Sequence, residues 1–101
     1  MLLVACTSPT APPNYEEWFE ELEACSGLRG YFDRIRFLFM DEVVVNGKQY
    51  GGYWWNNDTI WLRNDLAQNE LMVKHELMHS LVRTLDHPVQ YFNGVCGDLN
   101  G

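Results

Sequence analysis

Residues 66–85 read Leu-Ala-Gln-Asn-Glu-Leu-Met-Val-Lys-His-Glu-Leu-Met-His-Ser-Leu-Val-Arg-Thr-Leu, without a glycine or proline, and strong helix formers dominate. Leu71, Met78, Val82 and Leu85 recur at helical spacing on the side that carries His75 and His79. The pattern predicts a helix that starts near Asn64 or Asp65, either of which can cap it, and ends before His87-Pro88. A second helical period lies near the N-terminus. Asn14-Tyr15-Glu16-Glu17 has a capping-box pattern, Trp18, Leu22 and Cys25 follow at helical spacing, and Gly27 and Gly30 stop the run, which predicts a helix over 15–25.

Between these two segments the period changes to two. Residues 34–40 alternate in a strand-like way, and Val43-Val44-Val45 before Asn46-Gly47 is a strong hairpin signal. The return strand runs over 49–55, Asn56-Asn57-Asp58 makes a turn, and Thr59–Arg63 is a further strand. Val89–Phe92 is expected as a short turn leading to Cys96. The order predicts an α+β domain: an N-terminal helix, a small antiparallel sheet of three or four strands, the histidine-bearing helix and a short C-terminal turn. The strand before that helix is expected beside the histidines, with an open edge on which an extended peptide can pair.

A chain of 101 residues makes one domain with a modest core. The apolar share of 47% marks a folding sequence. The net charge of −7 argues against nucleic acid and against a polybasic membrane face, and the domain is read as a monomer. Leu3-Val4-Ala5-Cys6 resembles the bacterial lipobox, in which the cysteine carries the lipid, with the Pro-rich stretch to Pro13 as a tether. Only five residues precede Cys6, fewer than a signal segment needs. The alternatives are a gene start further upstream and a plain disordered N-terminus. On the first, residues 1–13 are a truncated signal and tether, 14–101 the folded domain, and the protein is an extracytoplasmic lipoprotein of the cell envelope whose one membrane attachment is Cys6. Cys25 and Cys96 then remain as an even pair, either bridged in an oxidising compartment or buried as free thiols.

His75-Glu76-Leu77-Met78-His79 carries the chemistry. On a helix the two histidines share one face, with side chains roughly 5–6 Å apart, and both can reach one metal ion. Glu76 points off that face and is free to take a proton from an attacking water, an arrangement suited to metal-assisted hydrolysis. Two imidazoles on a largely apolar face are costly unless paired or liganded, so a metal site is favoured over two structural histidines.

The pentapeptide on its helix, after a small sheet, resembles the zincin metallopeptidases over roughly residues 31–101. More narrowly the chain is similar to small bacterial lipoprotein-type zinc peptidases, through Glu23-Ala24-Cys25-Ser26-Gly27-Leu28, Gly52-Tyr53-Trp54 and His87-Pro88-Val89-Gln90-Tyr91-Phe92. The resemblance implies a peptidase acting on peptide or protein substrates, with Zn2+ on His75 and His79 and Glu76 as general base. The metzincin position for a third ligand holds Leu85, and no Glu follows Glu76 to act as in gluzincins. His87 is therefore the expected third ligand, ahead of Asp86 and Asp98, because an open catalytic zinc takes three protein ligands. Tyr91 is a candidate oxyanion donor or a core residue. Tyr53, Trp54, Trp55 and Trp61 either line a cleft or fill the core. The rival to the enzyme is a non-catalytic zincin-like metal-binding or interaction module at the cell envelope.

Overall fold

The computed structural model describes residues 11–100, so Cys6 lies outside the described residues. Helix α1 spans Pro13–Ser26 and starts earlier than the capping box suggested, with Pro12 at the cap and no side-chain cap bond. Proline at the first helical position explains the shift: its φ is pre-set for the helix and it has no N–H to leave unpaired. Asn14 sits inside the first turn, and its amide donates to Gln68. Gly27, at φ 77°, closes the helix, and its N–H donates to the Glu23 carbonyl.

A 3₁₀ turn at Phe32–Arg34 precedes β1 (Arg36–Met40). Asn46 and Gly47, both at positive φ, join β2 (Val43–Val45) to β3 (Lys48–Tyr50) in the expected hairpin. The expected return strand is broken at Gly51, and β4 (Gly52–Trp55) leaves the hairpin for a second sheet with β5 (Thr59–Arg63) and β1. That sheet has the order β1-β5-β4; β4 and β5 pair antiparallel, while β1 and β5 run parallel. Because β5 is paired on both sides, it has no open edge. The sheet's edge strands are β1 and β4, which corrects the expectation that the strand before the motif helix offers an edge, and the edge strand packed against that helix is β4.

Helix α2 runs Glu70–Val82, five or six residues later than Asn64 or Asp65 would have started it. Those two residues are engaged elsewhere: Asn64 donates to Asp41, and Asp65 pairs with Arg63. Asn69 is the cap, its side chain accepting from the Met72 N–H. The helix ends at Arg83, in the left-handed region at φ 64°. A short helix α3 (Val89–Phe92) and a small hairpin of β6 (Asn93–Gly94) and β7 (Gly97–Asp98) complete the α+β domain.

The core lies between the two helices and one face of the sheet. Tyr15, Trp18, Phe19 and Leu22 of α1 and Val73, Leu77, Met78 and Leu81 of α2 pack with Phe37, Trp54, Ile60 and Leu62. Of the apolar stripe read from the sequence, Met78 packs in the core and Val82 against it, while Leu71 and Leu85 are exposed. Cys25 and Cys96 form a disulfide across a separation of 71 residues, with their α-carbons 5.3 Å apart, and staple the C-terminal hairpin to the end of α1.

Candidate metal centre and its cleft

His75 and His79 stand one turn apart on α2, and the chain returns after Arg83 to bring His87 over them. Nε2 of His75 lies 3.3 Å from Nε2 of His79 and 3.2 Å from Nε2 of His87. The ligand atoms of all three fall within 4.8 Å of one another. Imidazole nitrogens at roughly 2.0–2.1 Å from a tetrahedral metal stand about 3.3–3.4 Å apart, so the two short separations match the edges of such a site. The group can hold a metal ion.

Backbone carbonyls set the orientation of two rings. Nδ1–H of His75 donates to Leu99 O at 2.9 Å, and Nδ1–H of His79 donates to Thr84 O at 2.8 Å. A carbonyl accepts only from a protonated nitrogen, so both rings present an unprotonated Nε2 to the shared point. Burial lowers the pKa of His75, and lowers that of His79 to about 4, with the neighbouring imidazoles acting in the same direction on His79 and only His87 on His75. The rings are therefore neutral near pH 7, the form in which imidazole binds metal. Two bare lone pairs 3.3 Å apart do not attract each other; a cation between them resolves the conflict.

Four aromatic contacts hold the rings in place. The buried Phe92 has its centroid 5.1, 4.7 and 5.0 Å from those of His75, His79 and His87. Trp54, from β4, lies nearly parallel to His79 at 6.3 Å and 16°. The Trp54 indole N–H in turn donates to Asp58. Phe92, Thr84 and Leu99 were not singled out as site residues in the sequence. Thr84 and Leu99 act through their carbonyls, which every residue has, and Phe92 is indistinguishable in sequence from any core aromatic.

Glu76 is only 4% exposed and packs against β4. Burial pushes its carboxyl up to about 8, while a hydrogen bond from the Trp54 backbone N–H pulls the other way. Gly52 makes this approach possible: a β-carbon there would sit 3.1 Å from Cγ of Glu76 and 3.0 Å from Leu62. The pairing of β4 accounts for the Trp54 contact. Arg63 N–H donates to Gly51 O, so alternation along an antiparallel ladder turns the backbone groups of Gly52 and Trp54 away from β5, toward the free edge.

A cavity of about 280 Å³ opens over the imidazoles between Tyr50, Tyr53, Trp54, Glu76 and Leu85. A second, of about 370 Å³, continues past Gly52, His75 and Glu76 toward Leu71, Met72 and Asn100. The two share Tyr50, Gly52, His75 and Glu76, so a groove passes on both sides of the glutamate and follows the β4 edge. Of the four aromatic residues in question, Tyr53 and Trp54 line this groove, while Trp55 and Trp61 do not. Tyr91 packs against the core from α3 and is not among the residues that line either cavity. Asp86 and Asp98 are not part of the ligand group. Comparison with family models, with curated proteins and with solved structures finds no match to this chain.

Proposed function

We propose that the protein is a zinc-dependent hydrolase of the zincin type, a peptidase acting outside the cytoplasm. The observation that carries this reading is the convergence of three imidazole Nε2 atoms, at 3.2 and 3.3 Å from the central one, beside a buried glutamate on the wall of the same groove. Histidine nitrogens in a tetrahedral set with one position open suit Zn2+ better than hard, oxygen-preferring cations. Bound to His75, His79 and His87, the ion supplies Lewis-acid polarisation of the scissile carbonyl and acidifies the attacking water.

The remaining work falls to the chain's own groups. A cation held by the histidines would favour the ionised form of Glu76 over the neutral form that burial favours, and the carboxylate then takes a proton from the water as the water's oxygen bonds to the carbonyl carbon. It then returns that proton to the amide nitrogen as the C–N bond breaks. The Trp54 N–H holds the carboxylate in position. The free edge of β4 offers the outward backbone groups of Gly52 and the carbonyl of Trp54 to an extended peptide, which lies in the groove as an added strand. Tyr50 and Tyr53, which line the cavity, are closer candidates than Tyr91 for donating a hydrogen bond to the developing oxyanion.

The test uses the full chain, wild type and Glu76→Gln, with metal analysis and digestion of a peptide library. The expected result is about one zinc per chain in both proteins and cleavage by the wild type alone. Failure of the wild type to take up zinc removes the metal site. Zinc uptake without cleavage by the wild type removes the peptidase and leaves a metal-binding module.

A further inference from the structure

The second cavity beside the metal centre is walled by aliphatic side chains. It runs from His75 and Glu76 past Gly52 to the start of α2, with a volume of about 370 Å³. Leu66 comes from the 3₁₀ turn at Asn64–Leu66, Leu71 and Met72 from the first turn of α2, and Leu99 from the residue after β7. A β-carbon on Gly51 would lie 2.7 Å from Cδ1 of Leu66 and 2.8 Å from Cε of Met72, so these two side chains meet over bare backbone where β3 gives way to β4. Leu71 is 39% exposed, and an apolar occupant would take it out of water.

The polar groups around these side chains are already engaged. Gly51 O accepts from the Arg63 N–H, Leu99 O from His75 Nδ1–H, and Asn69 Oδ1 from the Met72 N–H. The start of α2 borders the cavity, but the Asn69 cap and Glu70 in the first turn already answer its dipole. An occupant is left with aliphatic carbon and, on the open edge of β4, the backbone of Gly52. Among the described residues Glu76 is the one carboxylate lining either cavity, and no Lys or Arg lines them. A charged side chain seated here would lose water without gaining a partner.

The same argument applies to the ends of a substrate. A free ammonium terminus needs a carboxylate besides the base, and a free carboxyl terminus needs a cation besides the metal; neither cavity supplies one. The first cavity continues the groove on the other side of Glu76, between Tyr50, Tyr53 and Leu85. An extended peptide paired with β4 therefore has residues on both sides of the bond presented to Glu76. Resting on the peptidase reading of this groove, we infer that the substrate is an internal, extended stretch of polypeptide with a bulky apolar side chain beside the scissile bond, seated among Leu66, Leu71, Met72 and Leu99. The protein is then an endopeptidase, and these four side chains set its preference.

The probes are decapeptides with acetylated and amidated ends, carrying Leu, Met, Phe, Ala, Asp or Lys at one position of a Gly-Ser background. The zinc-loaded full chain is tested for cleavage, with sites read by mass spectrometry, and Glu76→Gln for binding, followed by the Met72 methyl resonance. Cleavage beside Leu, Met or Phe should exceed that beside Ala by about ten-fold or more, and that beside Asp or Lys by a wider margin. Binding to Glu76→Gln should follow the same order and shift the Met72 methyl. Leu71→Asp, at an exposed position, should lower the preference for Leu over Ala several-fold with zinc content and circular dichroism unchanged. Equal cleavage beside Ala and Leu, or faster cleavage of peptides with a free terminus, overturns the proposal and leaves the peptidase standing. Absence of cleavage with ordered binding at Met72 removes the peptidase and supports the apolar seat; absence of both removes the seat as well.

Discussion

The Asp58 carboxylate accepts a hydrogen bond from the Ser80 hydroxyl at 2.9 Å, joining the turn after β4 to the last turn of α2. The same carboxylate takes the Trp54 indole N–H at 3.0 Å and the Arg83 guanidinium at 2.6 Å. One side chain thus fixes the end of the histidine helix and the indole that lies over His79. Burial alone would raise the Asp58 pKa, but hydrogen bonds from Arg83, Trp54 and Ser80 outweigh it and hold the pKa below the ordinary 3.8. A depressed pKa stabilises the fold at pH values above the unfolded-state pKa, and that contribution is lost as pH falls through the folded one. Asp58→Asn should destabilise the protein by about 1–3 kcal/mol near pH 7. The gap from wild type should narrow below about pH 4. Denaturant melts at pH 7 and pH 3 check this; an equal gap at both pH values would remove the charge argument.

Replacing His87 by Ala leaves the two α2 histidines in place and removes one of the three converging nitrogens. Zinc affinity should fall by well over the ~10–100-fold typical of losing an outer-sphere partner. Competition against a chromophoric chelator measures it. Wild-type affinity in this variant would move the third ligand to another group.

Gly52→Ala should lower hydrolysis more than stability. The added methyl meets Glu76 Cγ at 3.1 Å, on the groove wall, as well as Leu62. The glutamate has to give way by a few tenths of an ångström, which disturbs its alignment with the Trp54 N–H and with the groove. We expect a loss of kcat of ten-fold or more with metal content retained. Unchanged kcat would show that Glu76 tolerates the displacement.

The Cys25–Cys96 bridge acts on the centre as well as on the fold. It anchors the C-terminal hairpin, from which Leu99 O receives the His75 Nδ1–H. Loop-closure entropy for a 71-residue separation corresponds to about 4 kcal/mol. A Cys25→Ser, Cys96→Ser double variant should lose a sizeable part of that stability, and its zinc affinity should drop at temperatures where it is still folded. Affinity equal to wild type would show that Leu99 is held without the bridge.

Local order was legible in the chain because it depends on neighbours in sequence. Asn46-Gly47 demands positive φ and makes the hairpin, Gly27 closes α1 in the same way, and the i, i+4 spacing of His75 and His79 puts both on one helical face. The pairing of Cys25 with Cys96 followed from setting Cys6 aside, which left an even number. What depends on partners distant in sequence was not legible. Asn64 and Asp65 look like helix caps until Asp41 and Arg63 occupy them, so α2 starts at Asn69 instead. Gly51 breaks a run that reads as one strand, and β5 takes the centre of the sheet by pairing parallel to β1, which leaves the open edges to β1 and β4. The tautomers of the histidines are set by the carbonyls of Thr84 and Leu99, and a carbonyl has no signature in sequence. The chain by itself supplied the three imidazoles and the glutamate; only tertiary packing, by bringing β4, Phe92 and the C-terminal tail around α2, decided where those groups point.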